Sequence, residues 1–425
     1  MVLCGLCGSY ASAGEIELLT NKLAEKGVIS YGEAQQIMTE TKEAARKELA
    51  AGKIETLPSW IQNLSVKGDL RLRQQIDMDS SKSYNRIRER IRMRLGFETR
   101  ASEKMKAGFG LATGSEKISD KTVTGTAPAG IAAGPITGGT VAGDSIIDAE
   151  PSSTNHTLAN GFGKAVVLFD YAYIEYSPLS YLNVTAGKMK AGKQVWNPTD
   201  LLWDTDINPD GVAVNIKKDM NEKVNFFANA SWLVFNEKNS TANAPDAYIV
   251  QPGLAWKPSE KIGVKAAYAV QTFNVKGKNT GFYGTPAFDY VCANPSVDVS
   301  FNEIIGVYSA GVFGDMVANS APAPTADKNG SAFGVSFGDA KVSKFGQWKI
   351  KYVQRRLESN AWLAKLGDSD AYGGALNSSG YEAALELGLT KSASLGIDYY
   401  SMDKINGATT TTPKSLVQFD LVYKF

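Results

Sequence analysis

Residues 86–100 read Arg86-Ile87-Arg88-Glu89-Arg90-Ile91-Arg92-Met93-Arg94-Leu95-Gly96-Phe97-Glu98-Thr99-Arg100. At a period of two, Ile87, Ile91, Met93, Leu95 and Phe97 share one face, with Glu89 the exception, and Arg86, Arg88, Arg90, Arg92, Arg94 and Arg100 share the other. A helix would spread those arginines around its circumference, whereas an extended strand separates the two sets completely. The preceding stretch, 65–78, is divided the same way, with Leu70, Leu72 and Ile76 opposed by Asp69, Arg71, Arg73 and Gln75. The spacing predicts two long strands side by side, one face apolar and the other carrying Arg71, Arg73, Arg86, Arg88, Arg90, Arg92 and Arg94.

The two-residue period continues to the C-terminus. Further strands are expected near 104–113, 165–177, 182–190, 211–218, 223–235, 247–256, 262–274, 297–302, 310–317, 331–338, 347–356, 381–390, 394–402 and 415–425, about sixteen in all. Their connections alternate. Short polar turns recur at 101–103, 177–180, 219–222, 257–260, 340–345 and 391–393, and between them lie longer Gly/Asn/Ser/Thr/Asp-rich stretches at 114–164, 191–210, 236–246, 275–296, 357–380 and 403–414. Short turns at one end and long loops at the other describe an all-β, antiparallel up-and-down outer-membrane barrel. A secreted sandwich or propeller would bury its apolar faces against each other and needs no aromatic strand ends. Here Phe97, Tyr171, Tyr173, Trp232, Trp256, Trp348 and Tyr352 are expected near the ends of lipid-facing strands. The last strand alternates Val417, Phe419, Leu421, Tyr423 and a terminal Phe425 with Gln418, Asp420, Val422 and Lys424. An alternating strand closed by a C-terminal aromatic is the form read by the barrel-assembly machinery.

Composition limits the function. The chain has 425 residues, with Lys+Arg 45 nearly cancelling Asp+Glu 44, so no charge excess points to nucleic acid. The single histidine, His156, argues against His-metal centres, His-based triads and haem ligation; no metal or cofactor is expected. Two of the 3 cysteines, Cys4 and Cys7, stand in the apolar opening 1–13, which ends Ala11-Ser12-Ala13 like a secretory signal without its basic start. The mature chain would keep Cys292 alone, so no disulfide framework is expected. No stretch is long and apolar enough for a transmembrane helix; the charge-free run 122–143 is broken by glycines and prolines.

Residues 14–57 are expected to form a periplasmic helical segment. Glu15–Lys26 carries Ile16, Leu19 and Leu23 on one stripe, and Ser30-Tyr31-Gly32-Glu33 is a capping box opening a second helix from Tyr31 to about Leu49. The thin face of Ile37, Thr41 and Ala45 suits either helix association in a homotrimer or a solvated linker.

Lipid outside at Ile91, Met93, Leu95 and Phe97 places the arginines in the lumen, where they require water or opposing acids. Asp200, Asp204, Asp206 and Asp210, in a loop too long for a turn, are candidates for the opposite wall of a constriction, and solvated loop positions or a surface divalent-cation site are the alternatives. Their spacing does not match an EF-hand loop. Lys104, Lys106, Lys265, Lys349, Lys351 and Arg355 are expected as scattered pore residues, and His156 as an exposed loop residue. A fixed positive wall favours small anionic or polar solutes and repels cations.

Several segments resemble a porin family of Gram-negative outer membranes, of the delta-proteobacterial type: Gly68-Asp69-Leu70-Arg71-Leu72-Arg73, the Arg86–Arg94 strand, Phe109–Ser115, Gly187–Gly211 with Leu202-Trp203-Asp204 and Asn208-Pro209-Asp210-Gly211, and Ser331–Tyr400. The resemblance covers most of 65–425 and implies an outer-membrane barrel passing small solutes, in contact with membrane lipid and lipopolysaccharide. It names no cargo, and the stretch 114–164 departs from the family pattern. Two other classes are expected to fit less well. An outer-membrane hydrolase needs a partner for His156, and a scaffold or sheath for an electron-transfer protein needs a wider lumen.

Overall fold

The computed structural model describes residues 20, 22–50, 61, 63–114, 116–118, 147–158, 161–162, 164–236, 244–407 and 413–425. The expected signal segment 1–13, half of the expected helix Glu15–Lys26 and most of the connection 114–164 lie outside the described residues. The chain divides into two units, 1–64 and 65–425.

In the first unit a helix spans Tyr31–Ala50. It opens with the expected capping box: the Glu33 amide donates to Ser30 Oγ at 3.2 Å and the Ser30 amide to Glu33 Oε2 at 2.8 Å. Ala34 is buried, while Ile37 is exposed. No helix among the described residues is long and apolar enough to cross a membrane.

The second unit is built of antiparallel strands: β1 (Ser65–Asp79), β2 (Arg86–Arg100), β3 (Met105–Gly114), β4 (Glu116–Ile118), β5 (Ile147–Ala149), β6 (His156–Thr157), β7 (Val166–Leu179), β8 (Leu182–Lys188), β9 (Asp210–Asp219), β10 (Val224–Val234), β11 (Asp246–Ser259), β12 (Ile262–Asn274), β13 (Tyr290–Ile305), β14 (Tyr308–Asn319), β15 (Asn329–Gly338), β16 (Trp348–Leu357), β17 (Ser378–Gly388), β18 (Ala393–Lys404) and β19 (Lys414–Lys424). One sheet takes 17 of these, while β4 and β5 pair apart. Within it the two-residue β6 only extends the edge of β2, at Arg90↔Thr157 and Ile91↔His156, so sixteen strands form the wall. The ring closes where β1 pairs β19, with Gly68 and Phe425 exchanging backbone hydrogen bonds of 2.9 and 3.0 Å. Closure leaves no sheet edge for the membrane to solvate.

Alternation sets which face points where. Along β1 and β2 the outward Leu70, Leu72, Ile87 and Met93 are 37–62% exposed, while the inward Arg71, Arg73, Arg90 and Arg92 are at most 9% exposed. Trp232, Tyr248, Leu254, Trp256, Tyr268, Phe333, Tyr352, Phe419, Leu421, Tyr423 and Phe425 are likewise exposed on the outer surface. A continuous apolar belt of this kind is stable against lipid and costly against water. β13 is longer than its local pattern: the sequence predicts 297–302, but the strand spans Tyr290–Ile305 and its pairing with β12 runs from Phe273↔Tyr290 to Ile262↔Phe301. The expected connection 275–296 therefore shortens to 275–289.

Two expected lipid-facing aromatics point inward. Tyr171 and Tyr173 are 9% and 4% exposed, and the outward positions of β7 are taken by Phe169, Ile174 and Tyr176. The cause is a register shift between Gly110 and Leu111, where β3 skips Asp170 and the parity of β7 reverses. The rings lie flat against Gly96, Gly108 and Gly110; a Cβ at Gly110 would fall 2.2 Å from the Tyr171 ring.

Candidate functional site

The arginine wall is set by register. Across β1 and β2, Arg71 stands opposite Arg92, Arg73 opposite Arg90, Gln75 opposite Arg88, Asp77 opposite Arg86 and Asp69 opposite Arg94. Like charges directly opposite each other are destabilising, so acids must be interleaved. Arg73 donates from Nε and Nη2 to Asp420, both at 2.7 Å, and reaches Asp370 at 3.3 Å. Arg88 donates from Nε and Nη2 to Asp77 at 3.0 Å. Arg92 holds Asp69 through Nε at 2.9 Å and Nη2 at 2.7 Å. Arg94 reaches Asp69 at 3.3 Å and Asp206 at 3.1 Å, and Arg71 reaches Asp420 at 3.5 Å. Arg86 is exposed at the end of the wall. Arg90 differs: its partners are the neutral Gln75 Oε1 at 2.9 Å and Ser153 Oγ at 3.4 Å.

Three segments fold inward to face this wall. Residues 189–209 are pinned to the inner surface of β11–β14. The Trp196 amide and carbonyl bind the Gln251 side chain at 2.8 and 2.7 Å, the Thr199 amide donates to Asp315 at 3.1 Å, and Trp203 Nε1 donates to Gln271 at 3.1 Å. Residues 358–377 dock on that loop: Trp362 Nε1 donates to the Leu202 carbonyl at 2.7 Å. Leu201, Leu202, Trp203, Trp362, Leu363 and Leu366 then pack with the inward Ile249, Phe273, Tyr290, Cys292 and Val353 into one buried apolar cluster. Trp362 meets Phe273 edge-on at 4.9 Å and Trp203 at 6.1 Å. This side of the lumen is thus filled by a buried apolar core. The third segment, 150–157, fills the gap beside the arginines: Arg71 donates to Asn155 Oδ1 at 2.6 Å, Thr154 Oγ1 to Asp206 at 3.2 Å, and Ser369 Oγ to the Ser152 carbonyl at 3.0 Å.

The four aspartates separate into different roles. Asp206 meets the arginine wall through Arg94. Asp204 sits behind it, accepting the Ser369 amide at 2.8 Å and the Asp206 amide at 2.9 Å, while its own amide donates to the Leu366 carbonyl at 2.7 Å. It therefore joins the two loops. Asp200 lies 3.6 Å from Arg355, whose main partner is Asp368. Asp210 does not join the group: it opens β9, exposed, 3.3 Å from Lys188 on the neighbouring strand. Burial and the neighbouring Asp206 push the Asp204 carboxyl up to about 7, against the two amides that lower it. Burial would raise Asp206 too, but Arg94, Arg92 and Arg71 outweigh it and hold that group below the ordinary carboxylate range. Asp368 is pushed up by burial and Asp200 despite Arg355.

The remaining predicted bases divide similarly. Lys351 pairs with Glu382, and Lys265 stacks 4.1 Å from the Trp196 ring. Lys106 reaches Glu98 at 3.4 Å. His156 is half-buried in β6 rather than exposed. The barrel-terminal Phe419, Leu421, Tyr423 and Phe425 all face outward. Of the anchoring residues, the sequence pattern marks Trp203, within Leu202-Trp203-Asp204, but not Gln251, Gln271, Asp315 or Trp362, although polar amides at inward positions of apolar strands are a visible signal.

Two cavities flank the wall. At the long-loop end, one of about 320 Å³ is lined by Gln75, Asp77, Arg86, Arg88, Arg90, Ser153, Asp370 and Tyr372 among others. At the short-turn end, one of about 470 Å³ is lined by Asp69, Arg94, Glu98, Asp170, Tyr171, Lys190 and Asn208 among others. Arg90 lines the first and Arg94 the second, which at about 3.3 Å per residue separates them by roughly 13 Å along β2.

The sequence matches the family described as "Putative porin" over residues 144–306 and 307–425. The chain belongs to this porin family. Among curated proteins no sequence matches it. Among solved structures, this porin is similar to Pseudomonas putida OprB at 11% identity, with 90% of this chain and 96% of that chain covered and a TM-score of 0.51. It is also similar to the outer membrane channel DcaP of Acinetobacter baumannii at 11% identity, covering 85% and 97%, TM-score 0.48. A triple mutant of the Rhodopseudomonas blastica porin matches at 11% identity, covering 85% and 100%, TM-score 0.42. Family and fold together make the protein an outer-membrane β-barrel channel.

Proposed function

We propose that this porin passes small hydrophilic solutes by diffusion along the arginine wall, with a mild preference for anions. The observation that carries the reading is the charge balance of the hydrogen-bonded arginine wall. Six arginines (Arg71, Arg73, Arg88, Arg90, Arg92, Arg94) meet five directly bonded carboxylates (Asp69, Asp77, Asp206, Asp370, Asp420), an excess of one positive charge within that bonded set. The interleaved acids explain how so many cations share a wall, and the residual charge sets the sign of the preference. Asp206 and Asp370, held on the inward loops, face Arg94 and Arg73 and add a local field suited to dipolar solutes. In this reading the long-loop end faces outward, the C-terminus and the helical segment 14–57 are periplasmic, and the barrel associates as a homotrimer.

A sheath for an electron-transfer protein requires an open lumen. The two docked loops, with cavities of about 320 and 470 Å³ beside the wall, favour a solute channel over such a sheath. The test is reconstitution in a planar bilayer with a potassium chloride gradient. Measurable conductance with a reversal potential on the anion-preferring side is expected; a cation-preferring channel, or no conductance from folded protein, refutes the reading.

A further inference from the structure

Arg73, Arg88 and Arg92 use the same guanidinium edge, the first two across both oxygens of a carboxylate and Arg92 on one oxygen of Asp69. Each turns its Nε/Nη2 edge to a carboxylate, Asp420, Asp77 and Asp69 respectively, at 2.7–3.0 Å. That edge is the fork that matches the two oxygens of a carboxylate in parallel. Arg90 stands on the same wall, only 9% exposed, and presents the edge to no carboxylate among the described residues. Its Nε is buried without a hydrogen-bond partner, as are those of Arg71 and Arg94, but those two have a carboxylate within ion-pair distance, whereas the Nη2 of Arg90 has only Ser153 Oγ at 3.4 Å. A buried charged donor left this way is costly unless a ligand supplies the missing acceptor.

Arg90 also lines the cavity of about 320 Å³, together with Arg86, Arg88, Ser153, Ser369 and Tyr372. Of the four acids lining that cavity, Asp77 is held by Arg88, Asp79 by Lys414 at 3.7 Å and Asp370 by Arg73, and Glu150 also has a partner of its own. They do not compete for Arg90, but they repel a second negative charge on a ligand. A single planar carboxylate fits both conditions, and a doubly charged phosphate fits neither as well. Tyr372, Tyr400 and Met402, which also line it, give an apolar body something to rest against.

We infer that this cavity is a saturable binding site for small monocarboxylates, with Arg90 taking the carboxylate through Nε and Nη2 in place of Ser153. The site rests on the proposed anion preference and turns it from a diffuse field into a located step on the solute path. In it, Ser153 is a neutral placeholder on the segment 150–157, and ligand binding competes with that contact.

The test uses the full-length protein in detergent, titrated calorimetrically with sodium benzoate, with phosphate as comparator, so that binding is read without conduction. Saturable benzoate binding is expected, tighter than that of phosphate. Arg90→Gln should weaken it about ten- to hundredfold, the range for losing hydrogen bonds to a charged group. Arg90→Lys keeps the charge but not the fork and should weaken it nearly as much. Ser153→Ala, on a loop rather than in the barrel wall, should strengthen it twofold or more. Heat-modifiable migration on gels verifies that each variant is folded. Equal benzoate affinity in wild type and Arg90→Lys, phosphate binding as well as benzoate, or no saturation overturns the inference. An anion-preferring channel without saturable benzoate binding would sink this site and leave the proposed function standing. A cation-preferring channel would sink that function, whatever the calorimetry gives.

Discussion

Replacing Arg88, Arg90 and Arg92 together by glutamine should invert the selectivity of the pore. The magnitude follows from the charge count. Within the bonded set of the wall, six arginines against five carboxylates leave one positive charge, and removing three arginines leaves three against five, a net charge of two negative. At about 8 Å in water, one unit charge shifts the energy of a passing ion by roughly 0.5 kcal/mol. Screening at 0.1 M salt, with a Debye length of about 10 Å, cuts that by about half. Three charges then change the energy of an anion by roughly 0.7 kcal/mol and that of a cation by as much in the opposite sense, about a tenfold change in their permeability ratio. In a potassium chloride gradient the reversal potential should move by tens of millivolts and change sign. The effect should shrink in molar salt, where the Debye length falls to about 3 Å. Glutamine keeps most of the side-chain length and some hydrogen bonds to Asp69 and Asp77, so the heat-modifiable band should persist. If folded triple variant retains the wild-type reversal potential, the arginines are a structural charge network and ions take another route.

Two further outcomes test the loops. Trp362 is fully buried, donates to the Leu202 carbonyl and packs on Phe273; Trp362→Ala should cost about 3–5 kcal/mol of docking energy, seen as larger and noisier single-channel conductance from a barrel that still folds. Unchanged conductance would place the docked loops outside the solute path. The Asp204 carboxyl, raised from 3.8 to about 7 where it joins the loops, holds its proton more tightly when they are docked. Docking is therefore favoured in full below about pH 4 and loses up to about 4 kcal/mol as pH rises through 7. Conductance should be higher and noisier at pH 8 than at pH 5, and Asp204→Asn should flatten that profile; a pH response that survives the change would assign it to another group.

The chain's strands were legible because each is a local statement. In β1 and β2 every second residue is charged or apolar, and a strand has no other way to segregate Leu70 and Leu72 from Arg71 and Arg73. The terminal run ending at Phe425 was equally plain. Sixteen such segments with alternating short and long connections leave one closed arrangement, so the barrel was determined by the sequence itself.

What the sequence could not supply were the relations made across the lumen. Tyr171 and Tyr173 carry the composition of a lipid-facing pair, and only the shift beside Gly110 turns them inward. Trp203 and Trp362 lie 159 positions apart and share one core through two loops that have no period of their own. Asp200, Asp204, Asp206 and Asp210 look alike as a series, yet depth, and the distance of each from Arg355, Ser369, Arg94 or Lys188, assigns them four different tasks. Arg90 is one arginine among seven by pattern. Its distinction arises because the residue opposite on β1 is Arg73, whose acid lies on β19, so Asp420 is spent before Arg90 can reach it. Local alternation fixes which face a side chain takes, and the closed ring decides what waits on the other side.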